Sequence, residues 1–207
     1  MNNIYDEFYN RIPDTLLADI GSACVLGDKA YSIITKSEPR FFRSEYSYGL
    51  CSRVHDKVLQ FYLENRFEND STIKVYPKRT GYGNSVVNIT GTDFGIMACR
   101  IRKRETLPGP AKYKSKACEF NPGKDFDQVN LFAPPIADEY KNIEFFITLF
   151  FDGMNTVPNL ILADNSFSVI LDSRPIISVI AAEAESTHIE RIVPQIIAEM
   201  EKEYGKA

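Results

Sequence analysis

An almost continuous apolar run from Phe145 to Phe151 constrains the fold of this 207-residue chain more than any other feature. The run is much shorter than the ~20 apolar residues that a helix needs to span a bilayer. A strand that is apolar along nearly its whole length lies inside a sheet, because both of its faces must be covered. The segment from Ile143 to Phe151 therefore predicts a central strand that other parts of the chain cover on both sides.

Five further segments have the composition of strands, with many β-branched and aromatic residues. They are Thr72 to Tyr76, Ser85 to Ile89, Phe94 to Lys103, Asn159 to Leu162 and Phe167 to Leu171. Turn-forming residues at 81–84 and 91–93 separate the first three segments, which predicts an antiparallel meander. A turn at 163–166 joins the last two. The segment from Pro175 to Ala182 is ambiguous between strand and helix, and its β-branched residues favour a strand.

Three stretches of the chain have the apolar spacing of amphipathic helices. Residues 4–20 place an apolar side chain at every fourth position, and a proline within them predicts two short helices rather than one long one. The stretch from Ser52 to Phe67 has a wide apolar stripe, which predicts a helix packed deeply on a sheet. A third stripe runs from Ile189 to Tyr204, where Pro194 predicts either a kink or a helix that starts near Val193.

Together these patterns predict an α+β fold. We expect a mostly antiparallel sheet of about six strands, packed with N-terminal, central and C-terminal helices. Residues 1–207 should form a single domain, because no repeat, low-complexity segment or linker divides the chain. The sequence begins without an export signal and contains no apolar stretch long enough to span a bilayer. We therefore expect a cytoplasmic protein that does not bind membranes.

Charge is distributed unevenly along the chain, although the net charge is only −4. Residues 74–116 contain ten Lys and Arg and two Asp and Glu, a net charge of +8, whereas residues 117–207 carry −9. A local charge of this size attracts a polyanion, because screening limits charge interactions to about 8 Å at physiological salt. The alternative is that the acidic last third folds against the basic segment and neutralises it.

The basic segment supplies the candidate binding residues. Arginine and lysine neutralise phosphates, and aromatic rings placed among them stack on unpaired bases. The predicted nucleic-acid-binding residues are Lys78, Arg79, Tyr82, Arg100, Arg102, Lys103, Arg104, Lys112, Tyr113 and Lys114, the last three in the long loop that follows the basic strand. A second interpretation remains open, because lysine and arginine also protect exposed strand edges against aggregation.

Cysteine and histidine do not form a metal-binding pattern. The four cysteines, Cys24, Cys51, Cys99 and Cys118, include no Cys-x-x-Cys pair, and the chain has only two histidines. We interpret the cysteines as small buried apolar residues in a reducing compartment.

One histidine stands next to an aspartate within the predicted central helix. His55 and Asp56 point about 100° apart on a helix, so they do not form a close couple by themselves. No histidine precedes them, as a metal phosphohydrolase with a His-Asp motif requires. The pattern favours a partly buried, hydrogen-bonded histidine at position 55.

Three aspartates, Asp152, Asp164 and Asp172, stand at the ends of predicted strands. In an up-down-up meander Asp152 and Asp172 would share one edge, near Arg174. Two carboxylates at one edge are typical ligands of Mg²⁺, but aspartate is equally frequent in turns, where it accepts backbone hydrogen bonds. Asp93 lies in a hairpin like that of restriction nucleases, but residues 100–103 of the next strand are basic where a second acid is required. The sequence therefore predicts no metal site.

Sequence motifs of catalysis are also missing. The chain contains no phosphate-binding glycine loop, no dinucleotide-binding glycine pattern, no nucleophile elbow and no zinc-protease motif. Because no complete set of catalytic groups can be assembled, the sequence predicts no catalytic residue and no cofactor, and it favours a non-enzymatic protein.

Three segments resemble a scattered group of small bacterial and phage α+β proteins of unknown activity. They are Ser-Arg-Val-His-Asp at 52–56, the basic run at 100–103 and the strand pair from Ile143 to Leu171. The resemblance covers roughly Glu45 to Asp172, and this chain has Arg-Lys-Arg at 102–104 where such proteins have a Phe-Lys-Lys-type strand. The resemblance implies a bacterial or phage origin in the cytoplasm and brings no established catalytic residues.

Three functions follow as hypotheses. The first is a non-enzymatic or regulatory module, of a bacterial mobile-element or defence system, that contacts nucleic acid through residues 74–116. The second is a protein-interaction module that uses the loop at 107–135 or the C-terminal helix. The third is a metal-dependent phosphodiesterase or nuclease that uses Asp93, Asp152 or Asp172. The first requires that cations between positions 74 and 116 remain uncompensated in the folded chain.

Overall fold

The computed structural model describes residues 4–37, 39, 50–79, 85–100, 107, 109, 111–123, 142–151, 157–176, 190–191, 193–198 and 201–202. The helices are α1 (Asp6–Asn10), α2 (Asp14–Ser37), α3 (Leu50–Arg66) and α4 (Lys112–Ala117), and α4 continues into a 3₁₀ turn, Cys118–Phe120. The strands are β1 (Lys74–Arg79), β2 (Ser85–Thr90), β3 (Phe94–Arg100), β4 (Phe145–Phe151), β5 (Asn159–Ala163) and β6 (Ile170–Pro175). The predicted α+β fold is confirmed.

The six strands form one sheet in the order of the sequence. Strands β1 to β3 are antiparallel neighbours, as are β4 to β6, so the sheet is mostly antiparallel as predicted. The two halves meet at β3 and β4, which pair in parallel along their whole length, from Phe94 opposite Phe145 to Arg100 opposite Phe151. The strand patterns did not indicate this parallel pair. Parallel neighbours need a crossover connection of a dozen or more residues, for which residues 101–144 are long enough.

The apolar strand β4 is covered on both faces, as its sequence predicts. Phe145, Ile147 and Leu149 pack on one face with buried residues of α1, α2 and α3. Phe146 packs on the opposite face with Ala117 and Cys118, at the end of α4. We call these two sides of the sheet the helix face and the α4 face. Because period-2 alternation sends successive side chains to opposite faces, an entirely apolar strand requires both layers.

Helices α2 and α3 form an antiparallel pair over the helix face. The expectation of two short N-terminal helices is wrong for the second one, since α2 extends over 24 residues. Its buried stripe continues beyond Ile20 through small residues, among them Ala23, Gly27 and Ala30. Small residues contribute little to a hydrophobic pattern, although they allow two helices to approach closely. The predicted central helix is confirmed as α3, whose Leu59 and Leu63 pack on the sheet.

Helical residues also occur near the C-terminus, at 190–191, 193–198 and 201–202. Val193 and Ile196 are buried in a cluster with residues of α2 and α3, including Leu26, Ile34 and Val54. The apolar stripe that predicted this helix is therefore used, in its described part, for packing within the chain. Among the described helices, none combines the length and the hydropathy that a bilayer span requires.

The turn between β5 and β6 is longer than predicted. The carboxylate of Asp164 accepts hydrogen bonds from the backbone N–H groups of Ser168 (2.6 Å) and Val169 (2.8 Å) and from the hydroxyl of Ser166 (2.5 Å). Phe167 adopts a φ of 56° within this turn, and its buried ring packs on the α4 face. Strand β6 consequently begins at Ile170, and the prediction that it begins at Phe167 is wrong.

A buried asparagine connects β4 and β5 where their backbone pairing ends. The Asn121 side-chain amide donates to the carbonyls of Phe146 and Ala163, at 2.8 Å each, and its oxygen accepts from the N–H of Phe146 at 2.7 Å. The backbone pairing of the two strands stops at Thr148 and Ile161. Asn121 thus satisfies backbone groups that the ladder leaves open, which a buried sheet requires.

We expect Asn121→Ala to lower the free energy of unfolding by about 2–4 kcal/mol, because it removes three hydrogen bonds to buried backbone groups of Phe146 and Ala163. Urea denaturation followed by circular dichroism measures the loss. Asn65→Ala is the matched control, since Asn65 also donates to a backbone carbonyl, that of Phe61, but in an exposed position. Equal effects of the two substitutions would contradict this account of Asn121.

The described cysteines are buried and free, which confirms their interpretation as apolar residues. Burial raises the pKa of the Cys24, Cys99 and Cys118 thiols to about 12. The side chain of Cys51 lies outside the described residues.

At pH 8 a thiol with a pKa of about 12 is ionised in roughly one molecule in 10⁴, and the thiolate is the reactive form. We therefore expect iodoacetamide to leave Cys24, Cys99 and Cys118 unmodified in the native protein and to label them after unfolding in urea. Peptide mass spectrometry locates the label. Modification of Cys99 in the native protein at the rate of a free thiol would show that this thiol is accessible.

Candidate functional site

The sheet topology gathers several predicted cations at one edge. Strands β1, β3 and β4 run in the same direction, so their carboxyl ends, Arg79, Arg100 and Phe151, lie at the same side of the sheet. We call the ends of β1 and β3, residues 78, 79 and 100, the basic edge.

Not every predicted binding residue can be placed. Arg100 is the last residue of β3, and the structure describes its backbone only. Tyr82, Arg102, Lys103 and Arg104 lie outside the described residues.

Two candidate residues lie at the end of β1, an outer strand of the sheet. Val75 packs on the helix face, so alternation places Arg79 on that face and Lys74 and Lys78 on the α4 face. Lys74 and Arg79 are exposed and Lys78 is half-buried. An outer strand with lysine, arginine and the exposed Pro77 also has the features that protect an edge against aggregation.

The candidates Lys112, Tyr113 and Lys114 lie on α4, which corrects their expected placement in a loop. Lys112 and Lys116 are one helical turn apart and exposed, so they share the outer side of the helix. Tyr113 is half-buried against the cluster of Met97 and Cys99 on the α4 face. The sequence pattern did not reveal the helix, because its six residues are too few for an apolar period.

Lys114 faces inward, unlike the other lysines of α4. Lys114 is 7% exposed, and its ammonium donates a hydrogen bond to the carbonyl of Gly109 at 2.8 Å. The Nζ atom also lies 5.7 Å from the ring centroids of Tyr113 and Phe167. Lys114 is therefore separated from the exposed cations with which it was predicted to act.

Three described acids of the last third bind partners outside the basic segment. Glu144 binds Arg11 at 2.6 Å, Asp172 binds Arg174 at 3.2 Å, and the carboxylate of Asp164 is held by its own turn. Within the part of the chain that the structure describes, no carboxylate forms an ion pair with Lys74, Arg79, Lys112 or Lys116. Neutralisation of the basic segment by the acidic third does not occur among these residues.

The aspartates of the metal hypothesis are bound to arginine. Asp93 precedes β3, Glu144 precedes β4, and Arg11 binds both carboxylates while its guanidinium lies 5.0 Å from the Phe145 ring. Asp172 pairs with Leu162 inside the sheet rather than standing at a strand end, which corrects its predicted place at the edge of Asp152. Asp152 itself lies outside the described residues.

The long turn after Asp164 causes this shift of Asp172. Although burial by itself raises the pKa of Asp164, the hydrogen bonds from Ser166, Val169 and Ser168 together hold this pKa below its usual value. Asp164 is therefore a turn-forming carboxylate. Among the described residues, no group of three or more His, Cys, Asp or Glu side chains could hold a metal ion.

A histidine-aspartate couple connects α2 and α3. His55 Nε2 lies 2.6 Å from Asp28 Oδ1, and the His55 side chain is 2% exposed. A Cβ atom at Gly27 would lie only 2.7 Å from the His55 ring, so glycine at this position allows the ring to approach. The hydrogen-bonded histidine was predicted, but its partner Asp28 was not. Asp28 is 27 residues away in the sequence, and no periodic pattern links positions on two different helices.

The carboxylate of Asp56, next to His55 in the sequence, lies close enough to Cys99 and Tyr113 to affect their pKa values. Burial raises the pKa of Tyr113, and the charges of Cys99 and Asp56 raise it further. The pKa of Cys99 is raised by its burial and by Asp56, while Lys114 opposes that rise. Asp56 and Lys114 therefore both lie near Cys99, close to the carboxyl end of β3. Asp56 brings an acid from α3 to an otherwise basic part of the molecule.

We expect Asp28→Ala to lower the free energy of unfolding by about 1–3 kcal/mol, because it removes a hydrogen-bond partner of the buried His55. Asp19→Ala is the control. Asp19 also lies on α2 and pairs with α3 through Arg66, whose side chain is 61% exposed and keeps its hydration. The control should cost at most about 1 kcal/mol. Thermal unfolding of both variants measures the difference. An equal loss of stability would show that the His55–Asp28 hydrogen bond contributes no more than the Arg66–Asp19 pair.

Comparison of the chain with protein-family models, with curated proteins and with solved structures finds no match. The functional argument therefore rests on the residues themselves.

Proposed function

We propose that the protein contacts nucleic acid through cations of the basic segment. These are the exposed Lys74 and Arg79 of β1 and the exposed Lys112 and Lys116 of α4, together with Arg100 at the end of β3. The single observation that carries the proposal is the absence, among described residues, of ion pairs between carboxylates and the exposed Lys74, Arg79, Lys112 and Lys116. Uncompensated lysine and arginine release counterions from a phosphate backbone when they bind it, and this release favours association.

The distribution of ion pairs supports this choice. Arg66 pairs with Asp19 between α3 and α2, and Arg11 pairs with Asp93 and Glu144 at the amino ends of β3 and β4. Arg174 pairs with Asp6 of α1 and with Asp172 of its own strand, β6. A chain with net charge −4 repels a polyanion on average. Binding therefore requires the local concentration of cations along residues 74–116, and the charge within a Debye length of the contact governs its strength.

The protein-interaction hypothesis receives less support. Val193 and Ile196 of the C-terminal helical segment pack within the chain, so this part of the apolar stripe does not face a partner. The nuclease hypothesis also receives less support, because Asp93 and Asp172, two of its three proposed metal ligands, are paired with Arg11 and Arg174. We therefore favour a module that binds nucleic acid without cleaving it, with a regulatory role in a bacterial or phage setting.

Fluorescence anisotropy with labelled single-stranded and duplex oligonucleotides tests the proposal. With about five phosphate contacts, affinity should fall roughly 10²–10³-fold between about 50 and 200 mM salt. Binding that does not depend on salt, or no binding at micromolar protein, would reject the proposal. The two kinds of oligonucleotide show whether the surface prefers unpaired bases.

We expect the double substitution Lys112→Glu/Lys116→Glu to lower affinity at least tenfold and to reduce the slope of log affinity against log salt by about 1.5. The matched control is Lys36→Glu/Lys202→Glu, which changes the net charge equally at exposed positions on α2 and in the C-terminal helical segment. A purely global charge effect would make the two double variants equivalent. Such an equivalence would remove α4 from the proposed contact surface.

A further inference from the structure

The buried ammonium of Lys114 has one hydrogen-bond partner for three donors. Its Nζ donates to the carbonyl of Gly109, and within the described part of the chain no second acceptor and no carboxylate binds it. The residue is 7% exposed, so water covers little of it. A buried charge is costly unless it is paired and hydrogen-bonded.

Two aromatic rings stabilise this ammonium only in part. Nζ lies 5.7 Å from the ring centroids of Tyr113 and Phe167, near the outer limit of a cation–π contact. Contacts of this kind recover a fraction of the cost of removing an ammonium from water, since they supply no charge of opposite sign. The rings form apolar walls beside the ammonium and leave its remaining donors available.

The surroundings of Lys114 contain polar groups but few charges of opposite sign. The charges of Asp56 and Lys114 both act on the Cys99 thiol, in opposite directions, but Asp56 forms no ion pair with Lys114 in the described structure. The α4 face therefore holds a buried cation that the described fold satisfies only in part, through the carbonyl of Gly109.

We propose that Lys114 binds a terminal phosphate of a nucleic acid strand, an inference that rests on the proposed function. A terminal phosphate carries close to two negative charges at neutral pH and has three oxygens that accept hydrogen bonds. It therefore supplies both the counter-charge and the acceptors that the ammonium lacks. The exposed Lys112 and Lys116 lie on the outer side of the same short helix, where the rest of the strand continues.

The burial of Lys114 selects an end rather than the middle of a strand. An internal phosphodiester is flanked by two sugars, whereas a terminal phosphate monoester is flanked by one and needs less room beside the ammonium. Internal phosphates are accordingly left to the exposed cations. This division assigns affinity to Lys112 and Lys116 and selection of the strand end to Lys114.

Anisotropy with three oligonucleotides of one sequence tests the inference: one ends in a 5′-phosphate, one in a 3′-phosphate and one in hydroxyls at both ends. The wild-type protein should bind one phosphate-ended strand at least tenfold more tightly than the hydroxyl-ended strand. Lys114→Met keeps the length of the side chain without its charge, and it should abolish that preference while still binding the hydroxyl-ended strand. Lys116→Met, on the same helix, should lower the affinity for all three strands and leave their ratio unchanged.

Equal affinity of the wild-type protein for the three strands would overturn the inference while leaving the proposed function intact. If no strand binds, the proposed function and the strand-end inference both fail.

Thermal unfolding in inorganic phosphate, against chloride of equal ionic strength, then tests whether the site binds free phosphate. A rise in Tm of about 3 °C that Lys114→Met removes would assign the site to free phosphate instead of a nucleic acid end.

Folding of the variant is checked in phosphate-free buffer. Because Lys114→Met removes a buried charge with open donors, the variant should unfold at a Tm no lower than that of the wild-type protein. A markedly lower Tm would mean that the ammonium is satisfied within the fold, and this result would also overturn the inference.

Discussion

The parallel pairing of β3 with β4 is the constraint on which the rest of the structure depends. It joins two antiparallel halves into one sheet and places β4 inside that sheet, where Phe145 and Phe146 are buried on opposite faces. It also gives the sheet two different ends. At the amino ends of the pair, Arg11 binds Asp93 and Glu144 together, and the N–H of Glu144 donates to the carbonyl of Asp93 at 2.8 Å.

This arrangement separates the charges of the molecule. The acids that precede β3 and β4 are neutralised by Arg11, and Asp6 and Asp172 are bound by Arg174, whose guanidinium lies 4.0 Å from the Tyr9 ring. Lys78, Arg79 and Arg100 of the basic segment stand at the carboxyl ends of β1 and β3. Since Glu144, Asp164 and Asp172 of the acidic last third bind other partners, the overall negative charge does not prevent a local positive surface.

The spacing of apolar residues predicted much of the fold. It predicted less of the candidate site. The apolar run of β4 indicated its two-sided burial, and the wide stripe of α3 indicated its packing on a sheet. The strand start at Ile170 could not be predicted, because it depends on the hydrogen bonds by which Asp164 extends the turn. The inward orientation of Lys114 was equally hidden, since alternation of lysine and tyrosine at 112–114 has the same pattern in a loop, a strand or a short helix.

By itself, the sequence determined which segments are apolar enough to be buried, which residues form turns and where the positive charge is concentrated, because these properties depend on residue type and local spacing. Only the tertiary structure decided which distant groups meet. It paired His55 with Asp28 rather than Asp56, bound Asp93 to Arg11, and buried Lys114 while exposing its neighbours Lys112 and Lys116. The physical reason is that such contacts depend on the relative placement of elements far apart in the chain, which residue type and local spacing do not specify.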